Sequence, residues 1–143
     1  MSATVDANVL VYASNEADPV HEPARALVER LAAGPELVYL FWPAIMGYLR
    51  IVTHAAILPR PFAPDDATAN VSHLLALPHV RAPGEAEGFW DLWRTTAGDH
   101  ARGNEVTDAH LAALMRQHGV AVIYTRDRDF HRFDGIEPRD PFA

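Results

Sequence analysis

The most regular stretch of the chain is a helical repeat from Glu105 to His118 that Gly119 stops, followed at once by the apolar run Ala121 to Thr125. A strand facing water on one side alternates apolar with polar residues, whereas this one is apolar nearly throughout, so the sheet it enters is covered on both faces. The same order recurs upstream. Thr4 to Asp6 is a β-branched start, and Val9 to Ala13, ambiguous by periodicity alone, reads as a sharp turn into a helix. Pro23 to Ala33 has helical spacing and ends at Gly34-Pro35. Leu37 to Phe41 is a second strand, and Pro43 suits the first turn of a helix bearing Ile45, Tyr48, Leu49 and Val52. A proline-rich loop from Ala55 to Pro64 leads into a helix from Asp65 to Leu77, closed by Pro78. His79 to Ala82 reads as a short strand, and Glu85 to Thr96 as a helix with Phe89, Trp90, Leu92 and Trp93. Gly98 and Gly103 bracket a loop, and the tail after Phe133 carries no assignable element. Strands alternating with helices predict one α/β domain over residues 1–143, with a short central parallel sheet flanked by helices on both faces.

Two missing residue types narrow the chemistry. Without cysteine there are no disulfides, thiolate zinc sites or thiol nucleophiles. Without lysine no amine serves as base, Schiff-base former or phosphate clamp, and all 12 basic residues are arginine. Against 19 acidic residues these leave a net charge of −7, the wrong sign for holding nucleic acid by bulk electrostatics. Any nucleic-acid chemistry must then use a local arginine surface and cations that offset clustered carboxylates. No apolar run approaches a membrane span and the start lacks a signal-peptide pattern, so a cytoplasmic location and no membrane partner are expected.

In an open α/β sheet the functional crevice lies outside the carboxyl ends of the strands. Asp6 ends the first strand, and Asp127 lies two residues past the strand that ends at Thr125. Asp108 shares a helical stripe with Leu111, Ala112 and Met115, near the helix start, for which Asn104 is a candidate N-cap. Taken singly each has an ordinary explanation: a turn residue, a complement to the helix dipole, a cap for a short final helix. Taken together, three such groups repel one another unless a cation lies between them. An all-oxygen donor set suits Mg²⁺, with Mn²⁺ as the alternative.

At these residues the chain resembles a PIN domain, and more narrowly the VapC toxins of bacterial toxin-antitoxin pairs. The resemblance is carried by Val5-Asp6-Ala7-Asn8-Val9-Leu10, by Gly103-Asn104-Glu105-Val106-Thr107-Asp108-Ala109-His110 and by Thr125-Arg126-Asp127-Arg128-Asp129-Phe130, in the family's order and spacing. It implies a Mg²⁺-dependent ribonuclease that cuts RNA, is silenced by a VapB-type antitoxin and forms a homodimer. Asp6, Asp108 and Asp127 take the family's metal positions. Asn8, Asn104 and Thr125 would support the site by hydrogen bonds, and Asp129 would reach the cation through water or anchor the last turn.

One position departs from the family pattern. A glutamate is usual on the helix after the second strand, where this chain has Gly47. Glycine inside a helix costs about 1 kcal/mol relative to alanine, so helix stability does not account for it. Either three carboxylates suffice, or Glu105 or Asp129 compensates, or the site is weakened and the chain is a PIN-fold module that binds antitoxin or RNA without cutting. A zinc site built from the eight histidines is disfavoured, since no close helical pair is backed by a glutamate. An aspartyl phosphatase would need a second aspartate where Asn8 stands, and commonly a lysine. Phe89, Trp90 and Trp93, at helical spacing, read first as core. Arg50, Arg102, Arg126, Arg128 and Arg132 are candidate phosphate contacts.

Overall fold

A computed structural model describes residues 2–143. Its order is β1 (Ser2–Val5), α1 (Ala7–Ser14), α2 (His21–Ala33), β2 (Leu37–Tyr39), α3 (Trp42–Val52), α4 (Pro64–Leu75), β3 (Val80–Arg81), α5 (Phe89–Ala97), α6 (Asn104–Gln117), β4 (Val122–Tyr124), a short 3-10 helix (Arg128–Arg132) and β5 (Glu137–Arg139). The five strands form one parallel sheet in the order β3-β2-β1-β4-β5. From β1 the chain first builds outward through β2 and β3, then crosses back to lay β4 on the other side of β1. The switch in direction therefore falls between β1 and β4, where an open parallel sheet leaves a crevice at its carboxyl edge.

The strands are apolar because both faces are covered. Val5, Val38 and Val80 pack with Val9, Leu10, Leu27, Ile45, Tyr48 and Val52 under α1 to α4. On the opposite face Ile123 joins Phe41, Phe130, and Ala109, Leu111, Ala112, Leu114 and Met115 of α6. Alternate residues of one strand serve different cores, as in β4, where Ile123 and the neighbouring Tyr124 contribute to opposite sides. Thr4 is the buried polar exception in β1, and its hydroxyl is satisfied by donating to the Tyr39 carbonyl at 2.6 Å.

Several boundaries differ from the sequence reading, each for a local reason. Residues 85–88 are not helical: Gly88 sits in the left-handed region at φ 82° and α5 starts only at Phe89. The approach is held to α6 by side chains, with His110 meeting Glu85 at 2.6 Å and Gln117 bonding both backbone groups of Ala86. Of the aromatics on α5, Phe89 and Trp93 pack against the α6 core, but Trp90 is 67% exposed and stacks on Trp93, so its core assignment is corrected. Asn104 is the first residue of α6, not its cap. Gly103 occupies the cap position and no side-chain capping bond forms there. The tail holds a strand that its proline and charges concealed, β5, which pairs with β4 from Glu137 to Arg139. Among the described residues no helix is long and apolar enough to cross a membrane.

Candidate metal centre

The register of β1 against β4 pairs Val5 with Tyr124, so the next residues, Asp6 and Thr125, emerge side by side at the carboxyl edge. The pairing continues one step past the strands, since the Asp6 amide donates to the Tyr124 carbonyl at 3.1 Å. Thr125 is 2% exposed, and its hydroxyl joins the two strand ends. It donates to Asp6 Oδ2 at 2.9 Å and accepts from the Asp127 amide at 2.9 Å. The Thr125 amide is itself held by the Arg139 carbonyl of β5 at 3.0 Å. The tail strand thus buttresses the residue that organises the site.

Asp127 has two tasks. Its Oδ1 accepts from the Asp129 amide at 2.8 Å and caps the 3-10 helix, the ordinary role considered from sequence. That cap also folds Asp129 back toward the sheet edge. Asp108, Asp127 and Asp129 each offer a carboxylate oxygen within 4.8 Å of the others, close enough to share one cation. Asp6 stands beside this trio rather than in it, joined through Thr125 and near enough to add its charge to the field at Asp108. Asp129, rather than Asp6, completes the trio, although Asp6 adds more charge at Asp108 than Asp129 does. Asn8 and Asn104 are exposed, and among the described residues neither side chain hydrogen-bonds a carboxylate of the cluster.

The electrostatics reflect crowding. Asp108 rises from 3.8 to about 6, first because half-burial against the α6 core strips its water, then because Asp127 and Asp6 add negative charge; Arg132 works in the opposite direction. Asp6 is also raised, chiefly by burial, while the Thr125 hydroxyl and the amides of Ala7 and Asn8 pull it down. Arg132 lies 3.6 Å from Glu105, which commits Glu105 to that pair instead of to the carboxylate cluster. A set of clustered carboxylates on oxygen alone fits a hard divalent ion, whose charge removes the repulsion that the protein leaves uncompensated.

Gly47 has a packing explanation. A Cβ there would lie 3.2 Å from the Ala7 Cβ, tighter than ordinary van der Waals contact, because α3 crosses α1 beside Asp6. Glycine lets the two helices approach at the first residue after Asp6.

The raised value of Asp108 sets a pH dependence. The folded chain holds this proton more tightly than the unfolded one, so the group's contribution to stability is full below pH about 4 and is lost as pH rises through about 6. With divalent ions chelated, Asp108→Asn should therefore gain in urea midpoint relative to the unsubstituted chain between pH about 4 and pH about 7. Adding Mn²⁺ at the upper pH should stabilise only the unsubstituted chain. Parallel pH profiles for the two proteins, or equal stabilisation by Mn²⁺, would contradict the site.

Comparison with known proteins agrees with this architecture. The family model described as "PIN domain" matches residues 3–136. Ribonuclease VapC48 of Mycobacterium tuberculosis is 54% identical over 144 residues, covering 100% of this chain and 99% of that protein. The VapC ribonuclease Mb2897 of Mycobacterium bovis is 38% identical over 138 residues, covering 96% and 93%. Among solved structures, Mycobacterium tuberculosis VapC20, described as a sarcin-ricin loop cleaving toxin, superposes with a TM-score of 0.67 at 21% identity over 95% of this chain and 99% of that one. With the PIN match covering nearly the whole length and VapC ribonucleases aligned end to end, the chain belongs to the PIN-domain family, on its VapC ribonuclease branch.

Proposed function

We propose that this VapC-type ribonuclease hydrolyses RNA phosphodiester bonds with Mg²⁺, or Mn²⁺ in its place, held by Asp108 and Asp127 with Asp6 and Asp129 beside them. The observation that carries the reading is the meeting of the Asp108, Asp127 and Asp129 carboxylates, from α6 and the segment after β4, close enough to share an ion, with Asp6 of the β1 end beside them through Thr125. When bound, such an ion supplies Lewis-acid stabilisation of the phosphate and an activated water. Thr125 fixes the Asp6 carboxylate and the Asp127 backbone, which holds the donor set in place before substrate arrives. The raised values of Asp6 and Asp108 belong to the chain without a cation, and a bound divalent ion would draw both carboxyls back to their ionised form. A non-cutting module is the less favoured reading, since the relatives that align end to end with this chain are named ribonucleases; the approach of α1 and α3 explains the glycine without supplying the acid it replaces.

Silencing by a VapB-type antitoxin is the partner we assign. Structures of the fold include VapBC2 of Rickettsia felis bound to a promoter DNA fragment and FitAB bound to a DNA fragment. In this chain a groove of ≈ 720 Å³ runs between α1, α2, α3 and α4, with Leu10, Ile45, Val71 and Leu74 on its apolar floor and Glu22 and Arg25 at its rim. A groove of this kind takes an amphipathic segment of a partner chain. We place a homodimer face where Trp42 and Met46 of α3 and Val106 of α6 stand exposed, at 37%, 53% and 42%.

Two measurements test this. RNA cleavage by the purified chain should vanish with EDTA, return with Mg²⁺ or Mn²⁺, and fall at least about a hundredfold in Asp6→Asn and Asp108→Asn. Cleavage unaffected by chelation or by both substitutions would refute the metal mechanism. Sedimentation of the chain alone should give a dimer, Met46→Arg should shift it to monomer, and co-expressed antitoxin should raise the mass of the unsubstituted assembly. A monomer at high concentration would remove the dimer assignment.

A further inference from the structure

Arg126 stands between Thr125 and Asp127 in the chain, yet its side chain belongs to a separate cluster. Its guanidinium carbon lies 5.6 Å from the Tyr12 ring centroid and 5.5 Å from that of Phe142. The two rings meet edge to face at 5.8 Å. Phe142 is carried there by the tail: β5 ends at Arg139 beside Thr125, and the Asp140 carboxylate accepts from the Phe142 amide at 2.8 Å to fold the last residues back.

Among the described residues Arg30, Arg50, Arg60, Arg102, Arg126 and Arg128 have neither an ion pair nor a side-chain hydrogen bond, whereas Arg25, Arg94, Arg132 and Arg139 each lie within 4.0 Å of a carboxylate. What distinguishes Arg126 among the unpaired six is that two aromatic rings hold it, next in sequence to Thr125 and Asp127. In a chain of net charge −7, an arginine beside an acidic cluster would be expected to find an acid. Aromatic rings instead orient its guanidinium without neutralising it. The N–H edges stay free, and that fork matches phosphate oxygens. Orientation by rings also lowers the entropy lost when the fork is used.

We infer that Arg126, held by Tyr12 and Phe142, binds a backbone phosphate of the RNA outside the metal site, which makes the C-terminal segment part of the substrate-binding surface. This rests on the ribonuclease reading above. Arg126 is a binding residue, and Phe142 and Tyr12 are positioning residues that act through it.

The test uses a fluorescein-labelled, 12-nucleotide RNA of randomised sequence, titrated in Mg²⁺ against the full chain carrying Asp108→Asn to suppress cleavage. Adding Arg126→Gln should weaken binding about fivefold at low salt. It should also reduce the slope of log affinity against log salt by roughly 0.7, the share of one phosphate on a single strand. Arg126→Lys, which keeps the charge without the fork, should restore the slope. Phe142→Leu should weaken binding about twofold to threefold while Arg126 is present and have no effect in the Arg126→Gln chain. If Arg126→Gln does not fold, the Tyr12→Leu, Phe142→Leu pair serves instead, and should lower affinity with the slope unchanged. Binding by the parent with an unaltered slope in Arg126→Gln, or full affinity in the double leucine variant, overturns the assignment and leaves the ribonuclease reading intact. A parent that binds no RNA, with an unsubstituted chain that cuts none, overturns both.

Discussion

One buried hydroxyl governs the geometry of the carboxylate cluster. Thr125 has a single proton to donate and gives it to Asp6, and it uses a lone pair to take the Asp127 amide. The ends of β1 and β4 are thereby fixed at the point where the sheet reverses its building direction. Crowded carboxylates would otherwise relieve their repulsion by moving apart; Asp6 and Asp108 are raised first by burial and then by the neighbouring charges that the fold holds close. β5 holds Thr125 from outside, Asp127 caps the turn that returns Asp129, and α6 brings Asp108 across on a helix whose inner stripe is otherwise apolar.

The alternation of helices and apolar strands was readable because period and composition are local properties of a strand buried on both faces. The carboxylates of Asp108 and Asp127 could be placed for the same reason: one interrupts an apolar helical stripe, and the other follows a strand end. Asp129 was harder to weigh because its position depends on a backbone turn capped by Asp127, and nothing in residue spacing distinguishes that turn from an open loop. β5 was hidden because Glu137-Pro138-Arg139 has no strand-like pattern and forms only by pairing with β4 at the sheet edge. Residues 85–88 depart from the helix that their spacing predicts because tertiary bonds to His110 and Gln117 and a left-handed Gly88 impose a different path.

Gly47 illustrates how a residue that looks like a loss can be set by packing. Helix propensity disfavours glycine there, and the family pattern has an acid, but a Cβ would lie only 3.2 Å from the Ala7 methyl, so one of the two helices would have to give by a few tenths of an ångström. Close approach of α1 and α3 is thus linked to the position of Asp6, which precedes Ala7 directly. Asp129 adds a carboxylate to the cluster, and Glu105 is paired with Arg132.

On the proposed function, a chain with an excess of acid that acts on a polyanion must confine its positive charge to places where it counts, and those would be a divalent cation between the aspartates and arginines left without acidic partners. The central claim is that the carboxylates share one divalent ion. Its most direct test is the anomalous scattering of crystals grown with Mn²⁺: a single strong peak bonded to Asp108 and Asp127, with Asp6 or Asp129 completing the set directly or through water, is the result expected. A peak bound elsewhere, or none at saturating Mn²⁺ with the four aspartates well ordered, would contradict it.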